Sequence, residues 1–217
     1  ILPYTNSWNL GNHAGFNSSN VENAMVDQDA QLVGRCRSGD NAALELLFRR
    51  YVDRVWRYGW FVTHSREAAA DIVQETFLRV TKSVVDFEGR STFSTWLFAL
   101  TRSCAMEHVR RSRLEQRSLS RPAVFRLVKP EQESPGGGDS GESREAVRRA
   151  IAELPGAQRD AVILCELTGM SIADAAEVLG WGHSRVKVTL FRARRRLREL
   201  LKEHVENEFD EISAKET

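Results

Sequence analysis

This chain of 217 residues has few of the residues on which catalytic and metal sites depend. Its three cysteines, Cys36, Cys104 and Cys165, are scattered and lack the spacing of metal ligands or of a disulfide framework. The five histidines have no nucleophile, paired carboxylate or metal-ligand spacing near them, and no glycine-rich phosphate loop follows a strand. We therefore predict no metal, no cofactor and no enzymatic activity. The cysteines are expected to be reduced and mostly buried, in a cytoplasmic protein.

Long hydrophobic runs and an excess of one charge are also lacking. No apolar run approaches 18 residues and no signal peptide is visible, so we expect no membrane insertion. Lys and Arg number 31 against 30 Asp and Glu, so the net charge does not indicate nucleic-acid binding, although the distribution of the charges does. No segment has the alternating pattern of a strand, which predicts an all-α protein.

The composition along the chain predicts two small helical domains joined by a flexible linker. Residues 1–25 contain no Lys or Arg and no apolar periodicity, which predicts a disordered leader. A first helical domain is expected over 26–113, and a Gly-, Pro- and Glu-rich linker over 114–143. A second helical domain is expected over 144–205, followed by an acidic tail over 206–217.

The most informative stretch of the first domain is Asp71–Arg111. DIVQETFLRV places Ile72, Thr76 and Phe77 at the spacing of a buried helix face. The opposite face presents carboxylate, amide and apolar groups to a partner. After the break at DFEGRS, Ser91 or Thr92 can cap a second helix, which begins with aromatic residues and ends in a basic run. An acidic helix beside an aromatic-to-basic helix indicates two partners, a protein and a polyanion.

A helix-turn-helix is predicted in the second domain. Ser171 can cap a short helix of small residues, Gly180 can form the turn, and Ser184 can begin a basic helix. Seven basic residues and no acidic one lie between Arg185 and Arg198, which suits duplex DNA because cations neutralise phosphates. A solvated basic face usually interleaves Glu with Lys, and this helix does not.

These motifs resemble the extracytoplasmic-function (ECF) sigma factors, the specificity subunits of bacterial RNA polymerase. DIVQETFLRV, FEGRSTFSTWL and EHVRR are similar to their region 2, and SIADAAEVLGWGHSRVKVTLFRARRR is similar to region 4. The resemblance implies an alternative sigma factor that binds core RNA polymerase and directs promoter recognition and initiation through contacts with the −10 and −35 elements.

The resemblance also assigns residues to three surfaces. It implies binding of core polymerase, through the largest-subunit coiled coil, by Asp71, Gln74, Glu75, Leu78 and Arg79. It implies −10 DNA contacts by Phe87, Arg90, Ser91, Thr95, Trp96, Arg102, Ser103, His108, Arg110 and Arg111. It implies −35 DNA contacts by Ser184, Arg185, Lys187, Val188, Thr189, Phe191, Arg192, Arg194, Arg195 and Arg196. The polymerase flap and an anti-sigma factor are further implied partners.

Three departures from the family pattern change the expectations. Val188 and Thr189 replace a common Ser and Arg, and their methyl groups suit a thymine methyl better than a guanine edge. Ala99 and Leu100 occupy the place of the tryptophan pair with which housekeeping sigma factors open DNA, so opening should require well-matched promoters. Ser103 stands where many ECF members have Asn.

Two other classes of function are less consistent with the sequence. A helix-turn-helix alone would fit a repressor or response regulator, but such proteins lack the DIVQETF helix and its aromatic-to-basic neighbour. Binding to core polymerase without DNA separates the two hypotheses. An enzyme is disfavoured because no constellation of catalytic residues is visible.

Overall fold

The computed structural model describes residues 18–118 and 140–215, and the side chains of 26–114 and 145–202. Both described ranges are helical and contain no strand, which confirms the all-α prediction. The leader up to residue 17 and most of the predicted linker lie outside these ranges.

The first two helices are joined at a well-capped turn. Helix α1, Ser18–Arg37, begins inside the segment 1–25 that was predicted as a leader, because extending an anchored helix is much easier than nucleating one. Helix α2, Asn41–Thr63, is capped by Asp40, whose carboxylate accepts from the amides of Ala42 and Ala43. The buried carboxylate of Asp29 bonds the Tyr51 hydroxyl and the Arg50 guanidinium, which fixes α1 on α2.

Helices α3 and α4 complete the first group. Helix α3, Arg66–Ser83, has Ser65 as its N-cap and is followed by a 3₁₀ turn, Val84–Asp86. Helix α4, Phe93–Ser118, is capped by the Thr92 hydroxyl, which accepts from the Thr95 amide at 3.1 Å. Gly59 permits α2 and α3 to cross closely, since a Cβ there would lie 3.2 Å from the Ala69 Cα.

The second group contains the predicted helix-turn-helix. Helix α5, Ser140–Ala152, is followed by α6, Gly156–Val162, which continues into a π-helical turn, Ile163–Leu167. Helix α7, Ile172–Leu179, is capped by Ser171 and ends at Gly180, which has a φ of 65°. Helix α8, His183–Lys215, extends beyond the residue 205 predicted as the domain end.

The two helical groups pack against each other. Buried residues of both, such as Tyr58 and Phe98 in the first and Leu164 and Ala175 in the second, belong to one continuous hydrophobic cluster. Helix α7 lies against α4, and α5 and the π-helical turn lie against α2. We call this packing the closed arrangement. It decides which predicted site residues face solvent.

Candidate polymerase-binding and DNA-binding surfaces

The outer face of α3 has the exposure that a protein-binding surface requires. Asp71, Gln74 and Glu75 are exposed, and 46% of Leu78 is exposed although it is a large apolar residue. Arg79 is different because it bridges two helices: it donates to Glu75 at 2.9 Å and to Glu107 of α4 at 2.6 Å. These carboxylates raise the pKa of the Arg79 guanidinium, and the pair with Glu107 links α3 to α4. Four of the five predicted polymerase contacts are therefore accessible.

The loop before α4 presents an aromatic ring and an exposed cation. The Phe87 ring packs 5.0 Å from Trp96 and 6.3 Å from Phe93, so it is half-buried at the surface of the core. Arg90 is exposed and paired only with the neighbouring Glu88, and Ser91 is half-buried. Partly exposed rings beside a cation suit an unstacked base and its phosphate.

Two predicted −10 contacts are bonded to acidic residues of the second helical group. Thr95 is only 1% exposed, and its hydroxyl donates to the Asp174 carboxylate of α7 at 2.8 Å. Because the single Thr95 proton goes to Asp174, the Thr92 hydroxyl must donate to Thr95 across their 2.8 Å contact. Arg102 pairs with Asp160 of α6 at 3.5 Å. In the closed arrangement DNA cannot reach Thr95, whereas the Arg102 side chain is still 32% exposed but is held in an ion pair.

The remaining predicted −10 residues lie further along α4. Ser103 is exposed and donates to Glu107 at 3.1 Å. Arg110 and Arg111 are exposed near the end of the helix, whereas His108 is half-buried. Ala99 is also exposed, and Leu100 is half-buried against the core. This part of α4 is accessible in the closed arrangement.

The seam between the two groups is unusually polar. Arg54 of α2 donates to the Thr168 carbonyl at 2.8 Å, and its guanidinium lies 5.2 Å from the Tyr51 and Phe98 rings. Across the seam, Arg148 of α5 lies over Trp60. Among the described residues six buried side-chain polar atoms find no hydrogen-bond partner, and four of them belong to residues near this seam: Tyr58 Oη, His64 Nε2, Arg102 Nε and Arg159 Nε. Unpaired buried groups disfavour the closed arrangement, because water would satisfy them after separation.

Burial at this seam perturbs two titratable groups in opposite directions. It lowers the pKa of His64 to about 4, with the Arg159 and Arg148 charges adding to the effect. It raises the pKa of Asp160, although Arg102 and Arg159 act against that rise. The closed arrangement thus favours a neutral imidazole at His64.

Helix α8 presents the expected basic surface, but part of its charge is neutralised. Ser184, Arg185, Lys187, Val188, Phe191 and Arg192 are exposed, and Thr189 is half-buried. Arg194 pairs with Glu166, and Arg195 and Arg196 pair with Glu199 at 3.2 Å and 3.6 Å. The charge count between Arg185 and Arg198 missed these partners because Glu166 lies on another element and Glu199 just beyond the interval.

The sequence also predicts no metal site, reduced and mostly buried cysteines, and no membrane insertion. Within the described ranges, no cluster of His, Cys, Asp or Glu could hold a metal ion. Cys36 and Cys104 are buried and Cys165 is half-buried, and burial raises the pKa of all three thiols. None of the described helices is long and apolar enough to cross a membrane.

No sequence pattern predicts the role of Arg54, Asp160 and Asp174 in the polar seam. Each lies on a helix with an ordinary mixture of charges, and its partner is distant along the chain. Asp174 also has a local role, because it bonds the Ser171 N-cap in the first turn of α7. Only the packing of the two groups shows their second role.

Comparisons with known proteins agree with the geometry. Residues 47–115 match the family Sigma-70 region 2, and residues 144–197 match Sigma-70, region 4. The chain is 34% identical over 158 residues to the ECF RNA polymerase sigma factor SigC of Mycobacterium tuberculosis, covering 72% of this chain and 82% of SigC. It is 31% identical to SigM of the same species, covering 80% and 84%.

A solved structure shares the arrangement of helices. The sigma factor RpoE from Bartonella quintana, in complex with the anti-sigma factor NepR, is 26% identical to this chain with a TM-score of 0.60. The match covers 73% of this chain and 96% of RpoE.

Proposed function

Since the chain belongs to the ECF RNA polymerase sigma factors, which direct promoter-specific transcription initiation, we propose that its three predicted surfaces divide this work. The outer face of α3 binds core polymerase. The loop before α4 and α4 itself bind the −10 element, and α8 binds the −35 element. We also propose the domain limits 26–113 and 144–205, a cytoplasmic location and no catalysis by the chain itself.

The polymerase assignment is carried by the exposure of Leu78. A large apolar side chain that is 46% exposed, beside the exposed Gln74 and Glu75, has no task inside the fold. Isolated exposed apolar residues are common, but here the whole helix face combines an apolar centre with a polar edge. Such a face suits a helical partner like the coiled coil of the largest polymerase subunit.

Charge reversal at Glu75 tests this assignment. Glu75→Lys should weaken binding to core polymerase by about ten-fold or more, because a buried interfacial charge pair would become a repulsion. Glu45→Lys is a matched control: Glu45 is also exposed and also pairs with an arginine four residues later, but on α2. Affinity is measured without DNA, and the helical circular dichroism spectrum reports folding. Equal affinities for both variants would refute the docking face.

The closed arrangement must open before the −10 element can bind in full. Thr95 cannot reach DNA while Asp174 covers it, and Arg102 must give up its ion pair with Asp160 to bind a phosphate. Polymerase would favour the open form by binding the two domains at separate places, whereas an anti-sigma factor would favour the closed form. This part of the proposal rests on the burial of Thr95 beneath Asp174. The similarity to RpoE, which was solved with NepR, supports an anti-sigma partner of the same general kind.

A further inference from the structure

The outward edge of α8 carries two exposed apolar side chains. Val186, Leu190 and Ala193 are buried and define the inner side of the helix. At 3.6 residues per turn, the opposite edge is formed by Ser184, Val188, Phe191 and Arg195, which we call the crest. Val188 is 49% exposed and Phe191 is 69% exposed. Phe191 is the most exposed large hydrophobic residue in the described part of the chain.

A row of cations lies on each side of the crest. The helical positions place Arg185 and Arg192 on one side and Lys187 and Arg198 on the other. Within the described residues none of the four forms an ion pair, although Arg185 lies 4.4 Å over the Trp181 ring. An apolar edge between two cationic rows matches the major groove, where phosphates flank the base edges on both sides.

The bases offer this apolar edge only one kind of apolar partner. In the major groove every base presents hydrogen-bonding groups, and thymine alone adds a methyl group. We propose that Val188 and Phe191 read the 5-methyl groups of thymines in the −35 element, while the flanking cations hold the phosphates. The proposal rests on the −35 role of α8. It uses Val188 rather than Thr189, because Thr189 is half-buried whereas Val188, which lines the same groove between α8 and α6, is 49% exposed.

Deoxyuridine provides a direct test, because it differs from thymidine only by the missing 5-methyl group. Holoenzyme reconstituted from the full chain and core polymerase first selects promoters from a library with a randomised −35 element. Each thymine of a selected −35 element is then replaced by deoxyuridine. Each contacted methyl should be worth about four-fold in promoter affinity, the value of one buried methyl-sized group.

Variants assign the effect to the crest. Phe191→Ala and Val188→Ala should weaken binding to the thymine promoter and abolish its preference over the deoxyuridine promoter. Lys187→Ala is the matched control on the same helix: it should weaken binding to both promoters equally and keep the preference. All three positions are exposed, so the fold should be unaffected, which a helical spectrum checks.

The outcomes separate this inference from the proposed function. Specific promoter binding that is indifferent to deoxyuridine at every −35 position would overturn the thymine reading and leave the function intact. A holoenzyme that selects no −35 sequence at all would overturn the −35 role of α8 itself. If Phe191→Ala weakens binding to core polymerase without DNA and leaves the deoxyuridine effect unchanged, the crest is a polymerase contact and the inference is wrong.

Discussion

Replacing Arg54 by methionine should release the closed arrangement while both helical groups stay folded. Arg54 donates to the Thr168 carbonyl across the seam at 2.8 Å, and it belongs to none of the proposed DNA or polymerase surfaces. Methionine retains an apolar stem of similar length beside Tyr51 and Phe98. The substitution therefore removes one of the hydrogen bonds between the groups and keeps most of the packing within α2 and α4.

The magnitude follows from the type of bond and from the cost of burial. A hydrogen bond from a charged donor contributes about 1.5–3 kcal/mol. Burial lowers the pKa of Arg54, which shows that the guanidinium loses solvation in the closed arrangement. This loss of solvation offsets part of the free energy that the hydrogen bond contributes. We expect a net loss of about 1–2 kcal/mol of closure, a factor of about 5–30 in the ratio of closed to open molecules.

Two measurements report this shift. Fluorophores on cysteines introduced at the exposed Lys82 of α3 and Glu177 of α7 should show a larger separated population in Arg54→Met. If closure competes with polymerase, the apparent affinity for core polymerase should rise by up to the same factor, because more molecules are competent to bind. Arg49→Met is the control on α2: Arg49 is exposed and pairs only locally with Glu45, so little change is expected.

The reasoning would be refuted by a specific result. If Arg54→Met and Arg49→Met give the same fluorophore distances and the same polymerase affinity, the seam does not hold the two groups together. A shift in fluorophore distance without a change in polymerase affinity would show that closure occurs but does not compete with polymerase.

Two further predictions concern the seam and promoter opening. The His64 imidazole has an ordinary pKa of 6.5 and a closed-state pKa of about 4, so closure is unaffected above pH 6.5 and weakens as the pH falls from 6.5 toward 4. Fluorophore distances should therefore lengthen between pH 7 and pH 5. In His64→Gln this change should be lost and only the opposite effect of Asp160 should remain; identical pH profiles for the wild type and His64→Gln would contradict the burial of His64. Replacing Ala99-Leu100 by Trp-Trp should relax promoter choice, because aromatic faces offset part of the cost of unstacking, about a few kcal/mol per base. Permanganate footprinting should show more opening at weak paired promoters and no change on promoters with a preformed bubble; unchanged opening on the paired promoters would count against the melting argument.

Most local features could be predicted from the sequence because they depend on residues a few positions apart. Asp40, Thr92 and Ser171 cap helices as their residue types indicate, since the cap bonds span two or three residues. The buried face of α3 follows from helical periodicity alone. The accessible face opposite it follows for the same reason, so the placement of Gln74 and Glu75 at the surface was predictable.

The accessibility of the −10 residues could not be predicted in this way. Thr95 is a small polar residue one turn into a helix, and nothing near it in the chain indicates burial. Its exposure depends on Asp174, which reaches it through the packing of α7 on α4. Likewise, no acidic residue lies within four positions of Arg194 in the chain, and only the fold places Glu166 beside it.

The amino-acid sequence alone determined the helical class, the helix limits near each cap, the family and the chemistry of each surface, because periodicity, capping and motif order are local properties. The tertiary structure decided which surfaces are open, which cations are neutralised and that Arg54, Asp160 and Asp174 join the two helical groups. These features depend on contacts between residues far apart in the chain, whose free energy comes from burial and pairing that exist only after the helices have packed.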